Sequence, residues 1–238
     1  ACAVGDLNGD GHEDFVLAKI DIVSNLNSYI QVWIYNPANS AFEDQTGVWL
    51  TVPFTTSVIA IAIGDVNGDG LPDLVVNTTY DGSRVFFNDA KQKFLPVQDI
   101  ARLSTVGLSV EVVNGKVVVG DFYFGDDQIR IYQYDKDAKT WSGFSTPFVT
   151  YAPYDIRGDG DLFAVASLFW GESAILNLSG GKVWTDERRL GEIYSCDLSN
   201  RGGNLFAAFG TADKIHYADG KIPVGTQMPR EIALPGLL

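Results

Sequence analysis

The sequence predicts an all-β fold, and two observations support this prediction. Short runs rich in β-branched and aromatic residues alternate with clusters of Gly, Asn and Asp, as strands alternate with turns. No segment shows a sustained helical period with capping residues at its ends. The clearest strand candidates are residues 58–63, 116–122, 128–134 and 161–167.

An internal repeat predicts how these strands are grouped. The stretch VGDLNGDGHEDFVLA at residues 4–18 returns as IGDVNGDGLPDLVVN at residues 63–77. A degenerate copy begins at Asp155 and a fainter one at Asp197, while a tight-hairpin signal, Asn114-Gly115, stands where the remaining copy is due. A repeat of roughly 40 to 50 residues with four short strands is typical of a β-propeller blade.

We therefore predict a single β-propeller domain over residues 1–238, built from four-stranded antiparallel blades. Five copies of about 48 residues fit this length, and five blades is the preferred count. A sixth blade formed by chain outside this sequence is left open. In the second copy the expected strands are 58–64, 73–78, 84–88 and 93–98. The predicted blades cover approximately residues 1–52, 53–100, 101–147, 148–190 and 191–238.

The charge of the chain limits its partners. The sequence holds 17 basic and 30 acidic residues, a formal net charge of −13, and its pI is about 4.4. Such a surface repels nucleic acid and anionic lipid, so neither is expected as a partner. No apolar run approaches the roughly 18 residues that would cross a membrane, so we expect no membrane insertion. An acidic surface does suit divalent cations.

The two acidic loops have the oxygen pattern of a calcium site. Side-chain oxygens fall at loop positions 1, 3, 5 and 9, and a main-chain carbonyl falls at position 7. Calcium takes six to eight such oxygens. An EF-hand begins in the same way, but it closes with Glu at position 12 and lies between helices, whereas a strand follows here. The expected ligands are Asp6, Asn8, Asp10, His12 and Asp14 in one loop, and Asp65, Asn67, Asp69, Leu71 and Asp73 in the other.

The remaining copies are expected to hold no metal. Arg157 stands where the third position would carry Asn, so its guanidinium is expected to replace the cation as the counter-charge. In the last copy Asn200 and Arg201 interrupt the pattern. The prediction is therefore two calcium sites and three loops without metal.

The motif GDxNGDGxxD followed by an apolar strand resembles the integrin-type FG-GAP or VCBS repeat family. The resemblance is strong over residues 4–18 and 63–77, and the period extends it across most of the chain. It implies an extracellular calcium-bearing propeller in which the metal is structural. Members of this family serve as adhesion modules, lectins or parts of larger secreted proteins, and some polysaccharide lyases use similar propellers.

In a propeller, the loops that follow the second and fourth strands lie opposite the calcium loops. Three of them place aromatic residues close to an acid, which suits a sugar or a protein partner. The other interpretation is that these rings pack between blades. The candidate ligand-binding residues are Tyr80, Asp81, Tyr123, Phe124, Asp126, Trp170 and Glu172.

These observations predict a calcium-stabilised, non-catalytic extracellular recognition module that binds a glycan or a protein. One alternative is a polysaccharide lyase that uses His216 and Tyr217 near Lys214, because such a lyase needs a base and a cation beside the uronate. Another is a structural domain of a larger secreted assembly. Cys2 and Cys196 are interpreted as free thiols, with a ring-closing disulfide as the alternative.

Overall fold

A computed structural model describes residues 1–21, 27–50, 57–78, 82–91, 93–95, 101–102, 107–122, 128–169, 171–202, 204–220 and 228–234. Within these ranges the strands form five sheets of four strands, and in each sheet neighbouring strands are consecutive in the chain. The pairing is antiparallel, as the registers of strands that follow one another show. The predicted all-β fold of four-stranded antiparallel sheets is therefore confirmed.

The strands are numbered in chain order. The first sheet consists of β1 Cys2–Gly5, β2 Asp14–Asp21, β3 Asn27–Asn36 and β4 Ala41–Asp44, and the second of β5 Val58–Gly64, β6 Asp73–Thr78, β7 Ser83–Phe86 and β8 Ala101–Arg102. The third consists of β9 Gly107–Val113, β10 Lys116–Asp121, β11 Gln128–Asp135 and β12 Thr140–Val149. The fourth consists of β13 Pro153–Asp159, β14 Leu162–Ser167, β15 Ala174–Asn177 and β16 Lys182–Thr185, and the fifth of β17 Ser195–Arg201, β18 Asn204–Gly210, β19 Lys214–Asp219 and β20 Arg230–Ala233.

The chain forms two compact units. The first comprises Ala1–Val117 and Tyr132–Ser142, and the second comprises Val118–Ile131 and Gly143–Leu238, so the residues of the third sheet are divided between them. Each unit has its own core of aliphatic and aromatic side chains. β6 shows how complete the packing is, because all six of its residues are buried. Among the described residues, no helix is long and apolar enough to cross a membrane.

The second sheet ends differently from the prediction. Its fourth strand is the short β8, whereas residues 93–95, the described part of the predicted strand at 93–98, contribute one isolated bridge, between Asn88 and Phe94. Phe94 is instead used as a core residue, since its ring lies 5.2 Å from that of Trp49 and its amide donates to the Trp49 carbonyl. Trp49 ends the single-turn helix α1, Thr46–Trp49. Burial of these two rings explains why this segment leaves the strand pattern.

Two predicted loops are continuous strands. Asp155 and Asp197 were expected to begin degenerate acidic loops, but they lie inside β13 and β17. The hairpins that follow have shrunk to Gly160-Asp161 and to the two residues after Arg201. Arg157 does pair with Asp155, at 3.4 Å, but it does so along a strand and not across a loop.

Both cysteines are free thiols, so the alternative of a ring-closing disulfide is wrong. Cys2 is exposed on β1, and Cys196 is buried on β17. Burial raises the pKa of the Cys196 thiol well above its ordinary value, which keeps this sulfur protonated and unreactive.

The glycine before each acidic loop is required by close packing. A Cβ atom at Gly5 would lie 2.8 Å from Ile63, and one at Gly64 would lie 2.6 Å from Val112. Both distances are shorter than carbon atoms tolerate. The first strands of neighbouring sheets in the first unit therefore approach so closely that only glycine fits at these points.

Gly64→Ala is expected to destabilise the protein by about 1–3 kcal/mol, because the added methyl group overpacks the contact with Val112. The control Gly47→Ala adds the same group where no atom lies within 4 Å, so it should be neutral or slightly stabilising. Urea denaturation measures both effects. Adding Val112→Ala should restore part of the loss, and a Gly64→Ala protein as stable as the wild type would contradict the packing argument.

Candidate functional site

The two acidic loops lie in the first compact unit and connect the first two strands of a sheet. Residues 6–13 join β1 to β2, and residues 65–72 join β5 to β6. Both loops turn through glycines with positive φ, 74° at Gly9 and 85° at Gly11 in the first, 73° at Gly68 and 87° at Gly70 in the second. Equal spacing in the sequence has thus produced two loops with equal backbone turns.

The carboxylate at position 1 holds each loop in shape. Asp6 accepts hydrogen bonds from the amides of Gly9 at 2.8 Å and Gly11 at 2.8 Å. Asp65 accepts the equivalent bonds from Gly68 at 2.7 Å and Gly70 at 2.9 Å. A side chain that bonds to amides farther along the chain forms a local turn, which explains why Asp is needed at this position.

Positions 3 and 5 are bonded to each other in both loops. Asn8 donates from Nδ2 to Asp10 at 3.0 Å, and Asn67 donates to Asp69 at 3.0 Å. The second oxygen of Asp10 accepts from the amide of His12 at 2.9 Å. These bonds lie at the surface, where water can replace them at little cost.

The carboxylate at position 9 connects the loop to the body of the sheet. Asp14 accepts from the amides of Leu7, at 2.9 Å, and Tyr35, at 2.8 Å. Asp73 accepts from the amides of Val66 and Asn88, both at 2.9 Å. Each carboxylate therefore joins the start of its loop to the third strand or the residues just after it.

Both position-9 carboxylates are wholly buried, with 0% of their surface exposed. Burial raises the pKa of Asp14, and burial together with the neighbouring Asp69 and Asp65 carboxylates raises that of Asp73 to about 7. The backbone amides act in the opposite direction. The charged form of Asp73 is thus unfavourable in the protein chain alone, and a cation beside it would favour that form.

Asn88 connects the two loops and has no counterpart in the motif. Its side-chain amide donates to the carbonyls of Leu7, at 2.9 Å, and Pro72, at 3.3 Å. Because 81 residues separate Asn88 from Leu7, no local pattern could have revealed this contact. It fixes the two loops relative to each other within the first unit.

Within each loop the predicted side-chain ligands bond to the backbone, and those at positions 3 and 5 bond to each other. Among the residues described, no three His, Cys, Asp or Glu side chains converge as a metal site built from those residue types would. In both loops the side-chain oxygens come from Asp at positions 1, 5 and 9 and from Asn at position 3. One oxygen of each set is therefore an amide oxygen. The positions of His12 and Leu71 offer main-chain carbonyls.

Most of the predicted ligand-binding residues lie outside the described residues: Tyr80, Asp81, Tyr123, Phe124, Asp126 and Trp170. Glu172 is described and is half-buried. Its carboxylate accepts a hydrogen bond from the Thr185 hydroxyl and lies 3.7 Å from Nζ of Lys182. Glu172 is therefore held by its own sheet, which makes it a positioned acceptor.

An aromatic cluster in the second unit was only partly anticipated. The ring of Tyr151 lies 5.9 Å from Phe122 and 5.9 Å from Phe169. Tyr151 is 39% exposed and Phe169 is 50% exposed. These residues come from connections that follow a second or a fourth strand, so such connections meet at one end of this unit. Tyr151 stands alone in the sequence, and no motif marked it.

The residues proposed for a lyase are divided between the two faces of β19. Lys214 and His216 both face Glu231 of β20, at 3.3 Å and 3.9 Å. His216 and Tyr217 are consecutive residues of β19, so their side chains point to opposite faces of the sheet. Lys214 and His216 thus share one face of β19, and Tyr217 lies on the other.

Five consecutive four-stranded meanders with two glycine-rich acidic loops define an all-β repeat protein. Residues 6–76 match the model of the FG-GAP-like repeat family, so this part of the chain is similar to that family. The matched segment covers both acidic loops, in agreement with the sequence analysis. No curated protein matches the sequence.

A solved structure supports the fold. The chain is similar to one in the crystal structure of an active polycomb repressive complex 2 in the basal state, with a TM-score of 0.58 and 10% sequence identity. The similarity covers 91% of this chain and 47% of that chain, so this chain spans about half the length of the one it matches. At this identity the likeness concerns the fold alone.

Proposed function

We propose that the chain is a calcium-stabilised, non-catalytic recognition module of the β-propeller type, with five blades, that acts outside the cell. The observation that carries the proposal is the repeated loop, in which a wholly buried carboxylate, Asp14 or Asp73, faces two further acidic residues. Two loops with the same spacing and the same hydrogen bonds indicate one common role. A cation at each loop would compensate this clustered negative charge.

The oxygens of the loops fit calcium. Hard cations take carboxylate, amide and carbonyl oxygens, and each side chain of the set has at least one oxygen that accepts a single hydrogen bond and so has a second lone pair. Asp6, Asn8, Asp10 and Asp14 would hold one ion with the His12 carbonyl. Asp65, Asn67, Asp69 and Asp73 would hold the other with the Leu71 carbonyl. Calcium would supply positive charge that links each loop to the strand that follows it.

The architecture and the family support a propeller outside the cell. Each meander has the strand order of a propeller blade, and the likeness to a solved chain extends over most of the sequence. FG-GAP-like repeats are typical of extracellular proteins, as the sequence resemblance implied.

The aromatic end of the second unit is the proposed ligand surface. Tyr151 and Phe169 expose rings beside the connection that carries Glu172, a combination that suits the apolar face and hydroxyl groups of a sugar or an aromatic-rich protein contact. The predicted residues Trp170, Tyr80 and Tyr123 belong to connections of the same type. A glycan or a protein is therefore the proposed class of partner.

A glycan array probed in calcium buffer tests this surface, with a panel of extracellular proteins as the second screen. Tyr151→Ala and Phe169→Ala are expected to lower binding of any hit at least about tenfold, the effect of losing roughly 1.4 kcal/mol of contact. Phe144→Ala is the matched control, because Phe144 is 44% exposed but lies near the turn at Gly180, between β15 and β16. Equal losses in all three variants would contradict the assignment of the surface, and blanks in both screens would contradict the recognition function.

A further inference from the structure

A cleft of about 900 Å³ lies beside the second acidic loop, within the first compact unit. Residues 64–68 form one wall, and the β9–β10 hairpin and the end of β11 form the other. The hairpin is only Asn114-Gly115, whereas residues 65–72 make a much longer connection in the neighbouring sheet. The step between a long loop and a short hairpin opens the cleft. Its volume is at the upper end of the roughly 300–1,000 Å³ typical of ligand pockets.

Polar side chains dominate the lining. Val66 and Val112 are the aliphatic side chains of the lining. Pockets for drug-like molecules are mostly apolar, so a polar cleft of this size suits a ligand rich in hydroxyl groups. The polar side chains that face the cleft include Asn67, Asn114, Lys116, Gln133, Lys136 and Ser142.

The acidic groups of the cleft are already bonded within the protein. Asp65 accepts from loop amides, as described above. Asp135 accepts from the amides of Asp137, at 3.0 Å, and Ala138, at 2.9 Å. Hydrogen bonds from backbone amides compensate a carboxylate charge locally. These two acids therefore oppose an incoming anion less than their formal charge suggests.

Among the described residues, the basic groups of the cleft are not paired in this way. Neither Lys116 nor Lys136 forms an ion pair with any residue in the described part of the chain. Nζ of Lys136 lies 4.0 Å from the position that a Cβ atom would take at Gly68, so this ammonium extends across the cleft to the loop. Two unpaired ammonium groups in one polar cleft suit an anionic group on the ligand.

An aromatic ring completes the cleft. Tyr134 lines it and is held between Phe87, at 4.9 Å, and Trp141, at 5.1 Å. Because its neighbours fix the ring, packing a ligand against it costs little conformational entropy. A ring of this kind offers its face to the C–H groups of a sugar.

We propose that this cleft binds an acidic saccharide, whose carboxylate or sulfate group lies between Lys116 and Lys136 and whose ring packs on Tyr134. The inference rests on the proposed recognition function and adds a second site, away from the aromatic end of the second unit, together with its ligand class. The net charge of −13 repels anions at a distance, but salt screens this repulsion beyond about 8 Å. The two lysines act within that distance.

The test is isothermal titration calorimetry in calcium buffer with trigalacturonic acid and with its methyl ester, which keeps the rings but removes the charge. The acid is expected to bind at least about tenfold more tightly than the ester. Lys116→Gln and Lys136→Gln should each weaken binding of the acid about tenfold, which corresponds to about 1.4 kcal/mol. Lys139→Gln is the matched control, because it removes the same charge from the same turn without facing the cleft.

Each result decides a separate point. Equal affinity for acid and ester would overturn the ligand class, and an equal loss in the Lys139→Gln protein would overturn the site. If trigalacturonic acid does not bind while the glycan array yields a neutral sugar, this inference fails and the recognition function stands. If no glycan and no protein binds on either screen, the recognition function itself fails.

Discussion

Removal of calcium is expected to lower the melting temperature of the protein by roughly 10 to 20 °C. A site filled to about 100 times its dissociation constant stabilises the fold by about 2.7 kcal/mol, and two such sites by about 5 kcal/mol. In a chain of this length each kcal/mol shifts the melting temperature by about 2–4 °C. Differential scanning calorimetry in EDTA and in millimolar calcium measures the shift, and magnesium replaces calcium as the ion control.

Variants of the fifth loop position show whether the loops cause the shift. The double change of Asp10→Ala and Asp69→Ala should abolish most of the calcium effect and leave the melting temperature in EDTA within about 2 °C of the wild type, because the bonds lost are exposed. Asp137→Ala removes an exposed acid elsewhere and should change neither value. Identical melting curves in EDTA and in calcium would overturn the metal assignment.

Asn77→Asp is expected to destabilise the protein by about 3–5 kcal/mol at neutral pH. Asn77 is 0% exposed, donates from Nδ2 to the carbonyl of Ser109 at 2.7 Å, and accepts from the hydroxyl of Ser83. The substitution replaces the donor with a carboxylate oxygen that faces a carbonyl oxygen. Both oxygens carry negative charge, and burial of the site from solvent makes their repulsion costly.

The pH dependence identifies the cause of this loss. Burial would place the folded-state pKa of the new carboxyl above its unfolded value of about 3.9. The penalty is then smallest below that unfolded pKa, where the protonated carboxyl can donate to Ser109, and it grows as the pH rises through the folded-state pKa. Urea denaturation of variant and wild type at several pH values measures the difference.

Asn177→Asp is the matched control. Asn177 accepts from the amides of Ser179, at 3.0 Å, and Gly181, at 2.9 Å, and a carboxylate can accept the same bonds. We expect a change within about 0.5 kcal/mol. A loss for Asn77→Asp that matches this small value, or that does not vary with pH, would contradict the account.

Asn77 also begins an N-x-T triplet, the acceptor sequence for N-glycosylation. Because its side chain is 0% exposed, it is closed to glycosylation in the folded protein.

Local patterns predicted the strands and the two loops well. The runs at 58–63 and 128–134 became β5 and β11, because alternation of apolar residues decides which face of a strand is buried. The two acidic loops have matching backbone turns because glycines with positive φ stand at the same positions in both. These features depend on residues close to one another in the chain.

Prediction failed where distant residues compete. Phe94, which the sequence placed in a strand, packs its ring against Trp49 in the core. Asp155 and Asp197 stayed in strands because the pairing of β13 with β14, and of β17 with β18, runs past them. In a degenerate copy of the acidic-loop motif, the sequence does not show whether the preceding strand ends before the first Asp or continues past it.

The sequence by itself determined that this protein is built from four-stranded repeats with two acidic, glycine-rich loops, since period and turn chemistry are local properties. The tertiary structure alone decided which groups meet across the chain: the bond from Asn88 to Leu7, the contact that only Gly64 permits, and the cleft beside the second loop. Those contacts join residues far apart in sequence. They exist only once the sheets have packed, because packing brings such residues within a few ångströms of each other.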